Sequence, residues 1–494
     1  MKRRVLVSKL TGAKEEGRFL CGAASPKRSL ARTSYRTRNC GRRGNWIGEH
    51  AEQIVETRDV HLGSEVERGA TAMDVIYPRC AGLDVHQKSV MVCLRIWTDG
   101  KSRKTIRRFG TMTHDLVAMA EWLGGEGGVT HVAMESTGVF WKPIYNILEG
   151  RFEVLLCNAR DVKQVPGRKT DVKDCEWLAA QLLQHGLLRG SFVPARELRP
   201  LRDRTRGRAQ LVGERTRTAN RIHKVLEDAN IKLGAVATDV LGASGRRMIQ
   251  AMVAGETDAN VLSELAQKQL RAKIPELRLA LQGHLTDHHR FMLRFYMEQL
   301  QRLDHATTEL SERIETTMAE ADRAHAGETD IIPFAEAVNL VMGIPGIDRR
   351  TAQNEIAEIG TDMGQFPDRG HLASWTGICP GNNESAGRRK SGTTPKGNRW
   401  LRRALSQAAA GAARTKNSYL KARYGRLARR RGKKRALIAV AHTLLVVTYH
   451  VLRERKPYFE LGPGYLDQRN PERLTRYLVR RLESLGHKVT LQAA

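Results

Sequence analysis

Between residues 80 and 190 the apolar positions fall into short runs set apart by turn residues. Residues 81–86 (Ala-Gly-Leu-Asp-Val-His) read as a short apolar strand with a carboxylate in it. Residues 89–97, rich in Val, Met, Leu and Ile, read as a second strand, Asp99-Gly100 as a hairpin turn and 104–109 as a third strand. The period then becomes helical over 113–123 and stops at Gly124-Gly125. A strand over 130–134 runs into Glu135-Ser136-Thr137-Gly138, followed by a helix over 139–148, a strand over 152–157 and a helix over 171–183. The order β-β-β-α-β-α-β-α predicts a mixed sheet with helices against it, an α/β domain over about 78–190.

Beyond residue 195 the pattern is helical and polar. Leu293, Tyr296, Leu300, Leu303, Leu310 and Ile314, with Thr307, occupy a and d positions of a heptad repeat and predict a coiled coil. An earlier heptad stretch, 198–233, is weaker because Arg208 and Arg215 fall on d positions. Both stretches are also compatible with packing inside one chain. Residues 234–284 are helical but irregular. A compact, mainly α-helical region starts at Phe334 and runs to about 460, with a tail over 461–494. In it, Met342-Gly343-Ile344-Pro345-Gly346-Ile347 reads either as a helix-hairpin-helix turn, whose N–H groups meet phosphates, or as a plain helix–helix turn. Residues 382–387 (Asn-Asn-Glu-Ser-Ala-Gly) read as a loop. The apolar run 436–452 is short for a membrane span and contains His442, Thr443, Thr448 and His450, so it reads as a buried helix.

Charge changes this picture most. The 494 residues carry a formal net charge of +30, with a pI near 10.3. A polyanionic partner follows, nucleic acid before a membrane surface. From Ser385 to Arg453 there is no Asp or Glu. Arg388, Arg389, Lys390, Lys396, Arg399, Arg402, Arg403 and the cluster 429–435 fill this stretch, which reads as a nucleic-acid surface rather than a merely solvated face. Residues 1–75 are basic and rich in Gly and Ser, a composition that cannot bury enough apolar surface to order itself. They read as a disordered extension, either a nucleic-acid-binding tail or an over-extended reading frame ahead of Met73. Seven scattered cysteines with no CxxC pair argue against a zinc site or a disulfide framework, and no apolar signal segment follows the basic N-terminus.

The candidate chemistry lies in four acids. Asp171 and Asp174, three apart on the predicted helix, share one face. Alone they fit either an acidic helix start, favoured by the dipole, or a pair of metal ligands. Asp84 in the first strand and Glu135 at the end of the fourth add to them. In this strand order the first and fourth strands are neighbours, and the last helix can cross their ends, so the four carboxylates converge. Gathered without a metal they would repel or take up protons. With Mg²⁺ or Mn²⁺ they form a site for phosphodiester chemistry.

Four segments, Gly82-Leu83-Asp84-Val85-His86, Glu135-Ser136-Thr137-Gly138, Lys169-Thr170-Asp171-Val172-Lys173-Asp174 and the stretch 377–398, resemble the IS110/IS1111/IS116/IS902 family of bacterial insertion-sequence transposases. The resemblance covers about 78–460. It implies an RNase H/RuvC-like N-terminal domain with a DEDD site (78–190), a helical coiled-coil linker (195–330) and a mainly α-helical C-terminal transposase domain with a serine (334–460). The DEDD acids fall on Asp84, Glu135, Asp171 and Asp174, and the serine on Ser385. Ala386 stands where the family usually has Gly. The resemblance further implies a bacterial cytoplasmic, nucleoid-associated recombinase acting on donor and target DNA. It implies guidance by a structured noncoding RNA, and dimers that join into a tetramer. Two other readings are a RuvC-type structure-selective endonuclease using water, against which the Glu384-Ser385 loop stands, and a non-enzymatic binding protein, against which the intact acids stand.

Overall fold

The computed structural model describes residues 5–9, 75–125, 128–136, 138–158, 175–180, 186, 188, 190–328, 331–381, 383–385, 387–469 and 471–492. Of these, 75–193 form one compact unit and 5–9 with 194–492 a second. Strand β1 (Val5–Lys9) belongs to the second unit.

The first unit is built on β2 (Arg79–Val85), β3 (Val90–Thr98), β4 (Lys101–Phe109), α1 (Thr113–Gly125), β5 (His131–Glu135), α2 (Trp141–Leu148) and β6 (Glu153–Cys157). The sheet order is β4-β3-β2-β5-β6, with β2, β5 and β6 parallel and the other pairs antiparallel. The expected mixed sheet is therefore present, and its first and fourth strands, β2 and β5, are neighbours. Asp99 and Gly100 both take positive φ, 51° and 76°, as a two-residue hairpin with the sheet's twist requires. The edge strand β4 carries Lys101, Arg103, Lys104, Arg107 and Arg108, charges that discourage further strand pairing.

Alternation divides the sheet's faces. Ala81, Leu83 and Val85 of β2 join Val90, Val92, Val132 and Met134 in a core closed by Leu116, Met119 and Leu123 of α1 and Ile144 and Leu148 of α2. Cys80, Gly82 and Asp84 take the opposite face. Residues 175–180 are helical and lie directly on it. A Cβ on Gly82 would come 2.4 Å from the Cys175 carbonyl oxygen and 2.5 Å from the Ala179 nitrogen. The Cys80 thiol donates to the Ala179 carbonyl at 3.6 Å, and Lys104 Nζ meets Glu176 Oε1 at 3.0 Å.

In the second unit α3 (Leu198–Asp228) leads through four short helices, α4 (Leu233–Val236), α5 (Ala243–Val253), α6 (Ala259–Glu264) and α7 (Ile274–Ala280), to α8 (Asp287–Ala324). Helices α3 and α8 pack side by side and antiparallel, as the pairs Arg204–Thr317 at 2.8 Å, Arg215–Asp304 at 2.5 Å and Asp228–His289 at 3.0 Å record. The heptad residues Leu293, Leu300, Thr307 and Ile314 are buried. Their seam is thus filled within the chain, which is the second of the two readings of that pattern. Arg208 is buried with its hydrogen bonds made, to Gln353, Asn354 and the Arg350 carbonyl, while burial and the Arg350 charge lower its pKa to about 10. Residues 234–284, which had no assignable fold, cap the helix pair through Met248, Met252, Leu262 and Leu277 packed on Ile222, Leu226, Leu293 and Leu300.

The rest of the unit comprises α9 (Phe334–Met342), α10 (Arg349–Ile359), α11 (Arg369–Thr376), β7 (Asn383–Ser385), β8 (Arg388–Ser391), α12 (Arg399–Ala412), α13 (Tyr419–Arg431), α14 (Lys433–Glu454), α15 (Tyr465–Gln468), α16 (Pro471–Glu483) and β9 (His487–Leu491). Helix α14 is long and apolar enough to cross a membrane, yet half of its apolar window is buried. It packs through Val440, Leu444, Leu445, Tyr449 and Leu452 against α12 and α13, as a core helix.

Two expectations differ from what is described, and one open reading is narrowed. The stretch 382–387 was expected as a loop, but β7 and β8 form a two-stranded hairpin with Ser385 opposite Arg388. Part of the extension read as disordered, β1, pairs antiparallel with β9 of the tail. Finally, the glycine turn before α10 is explained by packing: Gly346 has φ 91°, and a Cβ there would meet Ala408 O and Ala412 N of α12 at 2.4 Å. The N–H groups of Gly343, Ile344 and Ile347 are spent on carbonyls of the same turn and helix.

Candidate active site and nucleic-acid interface

Asp84 is the penultimate residue of β2 and Glu135 the last of β5, two adjacent parallel strands. The register Leu83↔Met134 brings the next residue of each strand, Asp84 and Glu135, side by side. In-register residues of neighbouring parallel strands project to the same face, with backbones about 4.8 Å apart. The two acids therefore share the face that carries residues 175–180, at the carboxyl ends of the strands, where open α/β sheets put their functional groups. The Asp84 carboxylate is 14% exposed, and its Oδ2 lies 3.0 Å from His86 Nε2. Cys175 is close enough to register that carboxylate. Burial first, then Cys93, and also the Asp84 charge push its thiol up to about 12.

Asp171 and Asp174 lie outside the described residues. Among the described residues no group of three or more His, Cys, Asp or Glu side chains gathers as for a metal. The donors that are described fit a hard divalent ion: both are carboxylates, drawn together where their mutual repulsion asks for a counter-charge.

Ser385 is placed by its backbone alone, in β7 opposite Arg388. The segment holding the β7–β8 hairpin is closed at its base by two glycines. Gly377, at φ 75°, and Gly397 approach so closely that a Cβ on either would fall 2.6 Å or less from the other's nitrogen. Of the basic residues singled out from sequence, Arg388, Lys396, Arg399 and Arg403 are exposed. Arg402 has a structural task, donating to the Gly377 and Pro395 carbonyls and to Thr394 Oγ1. The side chains of Arg389 and Lys390 lie outside the described residues.

Sequence reasoning missed the polar centre beneath this surface. Glu358 of α10 is 1% exposed and accepts from Arg206 through both oxygens, at 2.6 and 2.8 Å. Arg202 Nε stands 3.3 Å from it, and Asn398 Nδ2 donates to it at 2.5 Å. Asn398 also caps α12 by accepting from Trp400 and Leu401 N–H. The only signal was the spacing of Arg202 and Arg206, one turn apart on a helix.

An acid pair near the ends of adjacent strands in a mixed sheet, joined in one chain to a strongly basic helical unit, suits an enzyme that acts on nucleic acid. Residues 81–231 match the DEDD transposase model of IS110, and residues 338–425 match the model described as Transposase IS116/IS110/IS902 family. The chain belongs to the IS110 family of insertion-sequence transposases. No curated protein matches it.

Proposed function

We propose that this transposase cleaves, exchanges and rejoins DNA strands with a metal-bound acid site, Asp84, Glu135, Asp171 and Asp174, and a serine nucleophile, Ser385. One observation supports the reading: the register sets Asp84 of β2 and Glu135 of β5 side by side, on the face covered by helical residues 175–180, which follow Asp174 in sequence. A divalent ion, Mg²⁺ or Mn²⁺, held by these carboxylates would stabilise the charge that develops on the phosphate. The Ser385 hydroxyl adds to the phosphorus, one bridging P–O bond breaks, and the leaving oxygen takes up a proton as a free hydroxyl. The phosphate stays esterified to the protein, which conserves the bond for rejoining. Arg388 and Arg389 neutralise the phosphate.

The same reading takes a structured noncoding RNA as guide, donor and target DNA as substrates, a dimer or tetramer as the working assembly, and the bacterial cytoplasm near the nucleoid as its place. The family resemblance and the acid-free basic stretch support it. The alternative is a RuvC-type endonuclease, which uses water and is indifferent to Ser385. Asp84→Asn, Glu135→Gln and Asp171→Asn each remove a carboxylate and keep the side chain's shape. Each should abolish metal-dependent strand cleavage while DNA binding and the melting temperature hold. Wild-type cleavage by any of them removes that acid from the site.

A further inference from the structure

A polar concavity lies in the helical unit, where α3, α10 and α12 meet. It is a cavity of about 160 Å³ lined by Arg206, Arg208, Asn354, Arg350, Trp400 and Arg403, with Asp348 as its only acid. We infer that this pocket takes one unpaired nucleotide of a single-stranded nucleic acid, its base stacked on Trp400 and its phosphate between Arg350 and Arg403.

Charge makes the pocket an anion site. Arg206 is neutralised by Glu358, and Arg208 donates to the neutral Gln353 and Asn354. Arg350 and Arg403 form no ion pair within 4.0 Å among the described residues, and both are exposed, although the Arg350 charge acts on Asp348 across the same pocket. A Cβ on Gly213 of α3 would sit 3.6 Å from an Arg217 nitrogen and 3.9 Å from an Arg403 nitrogen, so a further guanidinium, met by Glu214 at 3.8 Å, stands at the rim. Like charges held this close favour an anion between them.

The aromatic ring selects among anions. Trp400 is half-buried, with Arg399 4.7 Å and Arg206 5.9 Å from its ring centroid. The exposed Arg399 can yield its place over the ring to a base and carry its charge to the adjoining phosphate. Asn354 uses its carbonyl oxygen on Arg208, and its NH₂ group has no partner among the described residues. It can donate to a base edge. A duplex keeps its bases stacked on one another and offers none to the ring, whereas a single strand or an extruded base does. The pocket is set into a wall of three helices, so its shape is fixed before the ligand arrives.

The inference rests on the nucleic-acid reading of the basic unit but not on the cleavage chemistry, so its test is a binding measurement. Fluorescein-labelled single-stranded DNA and RNA oligonucleotides of one sequence, and the matching DNA duplex, are titrated into the full chain. Trp400→Ala should weaken single-strand binding about tenfold and Trp400→Phe should restore most of it, because one base–aromatic stack is lost and then replaced. Arg403→Gln and Arg350→Gln, at exposed positions that leave the core intact, should weaken it severalfold, and by clearly more than they weaken duplex binding. Asp84→Asn should bind as wild type, which separates this claim from the active-site proposal. Whichever of the DNA and RNA strands loses more affinity is the pocket's ligand. Unchanged single-strand affinity in both arginine variants, or equal losses on single strand and duplex, overturns the inference even if Trp400→Ala fails to fold.

Discussion

Gly82→Ala places one methyl group between β2 and the helix at 175–180. The added Cβ would lie 2.4 Å from the Cys175 carbonyl oxygen, 2.5 Å from the Ala179 nitrogen and 2.9 Å from Leu178 Cβ. Ordinary contacts start near 3.4 Å, and two of the three obstructing atoms are backbone, so rotamer changes give no relief. The helix must rise from the sheet by about 1 Å, at a cost of about 1–3 kcal/mol, as for other overpacked sites. The described helix residues start at Cys175, next to Asp174 in sequence, and Gly82 precedes Asp84 by two residues on the same face. A displacement near 1 Å at a catalytic site costs on the order of a hundredfold in rate. The variant should therefore lose strand cleavage by about that factor and unfold at lower denaturant, while its affinity for DNA, carried by the other unit, stays unchanged. Denaturant melts, metal-dependent cleavage of labelled DNA and a binding titration read the three quantities. Full cleavage by a Gly82→Ala protein of wild-type stability would refute the claim that this contact sets the site.

Two predictions concern the helical unit. Burial pushes the Glu355 carboxyl up to about 8, from an ordinary 4.5, and one of its oxygens has no hydrogen-bond partner. The folded chain holds that proton to higher pH than the unfolded chain, so stability falls as pH rises from about 4.5 to 8. Glu355→Gln should gain on the order of 3 kcal/mol at pH 7 and almost nothing at pH 4, with denaturant midpoints at the two pH values as the check. Glu358→Ala strands Arg202 and Arg206 and takes a partner from Asn398. It should cost about 3–5 kcal/mol in chemical unfolding, and a loss below 1 kcal/mol would show the cluster to be solvated.

Legibility in the sequence followed sequence distance. The β2–β4 meander, the Asp99-Gly100 turn and the adjacency of β2 and β5 all follow from local periods and strand order. The acids Asp84 and Glu135 were found because one sits inside an apolar strand and the other at the end of one. The heptads of α8 were visible, but a heptad does not say whose helix fills it, and here α3 of the same chain does. The two arginines that weakened α3 as a coiled coil are its docking points: Arg208 reaches Gln353 and Asn354, and Arg215 reaches Asp304. Those partners lie 89 to 146 residues away, beyond any local pattern. The 234–284 segment resisted reading because helices of 4 to 11 residues bury apolar groups only against the ends of two long helices. Glu358 and Glu355 were hidden because a carboxylate in a helix reads as a surface residue until its surroundings are known.

The central claim is that a serine and a set of acids act in one strand-transfer reaction. It is tested most directly by denaturing electrophoresis of the protein after incubation with end-labelled DNA carrying the element and its flanks, with Mg²⁺ and the noncoding RNA proposed as guide. The wild-type chain should form a labelled protein–DNA adduct that survives denaturation. Ser385→Ala should bind the same nucleic acids and give neither adduct nor recombinant, and Asp84→Asn should give neither as well. An adduct or a recombinant formed at the wild-type level by Ser385→Ala would contradict the account and leave the acids working as a water-using nuclease.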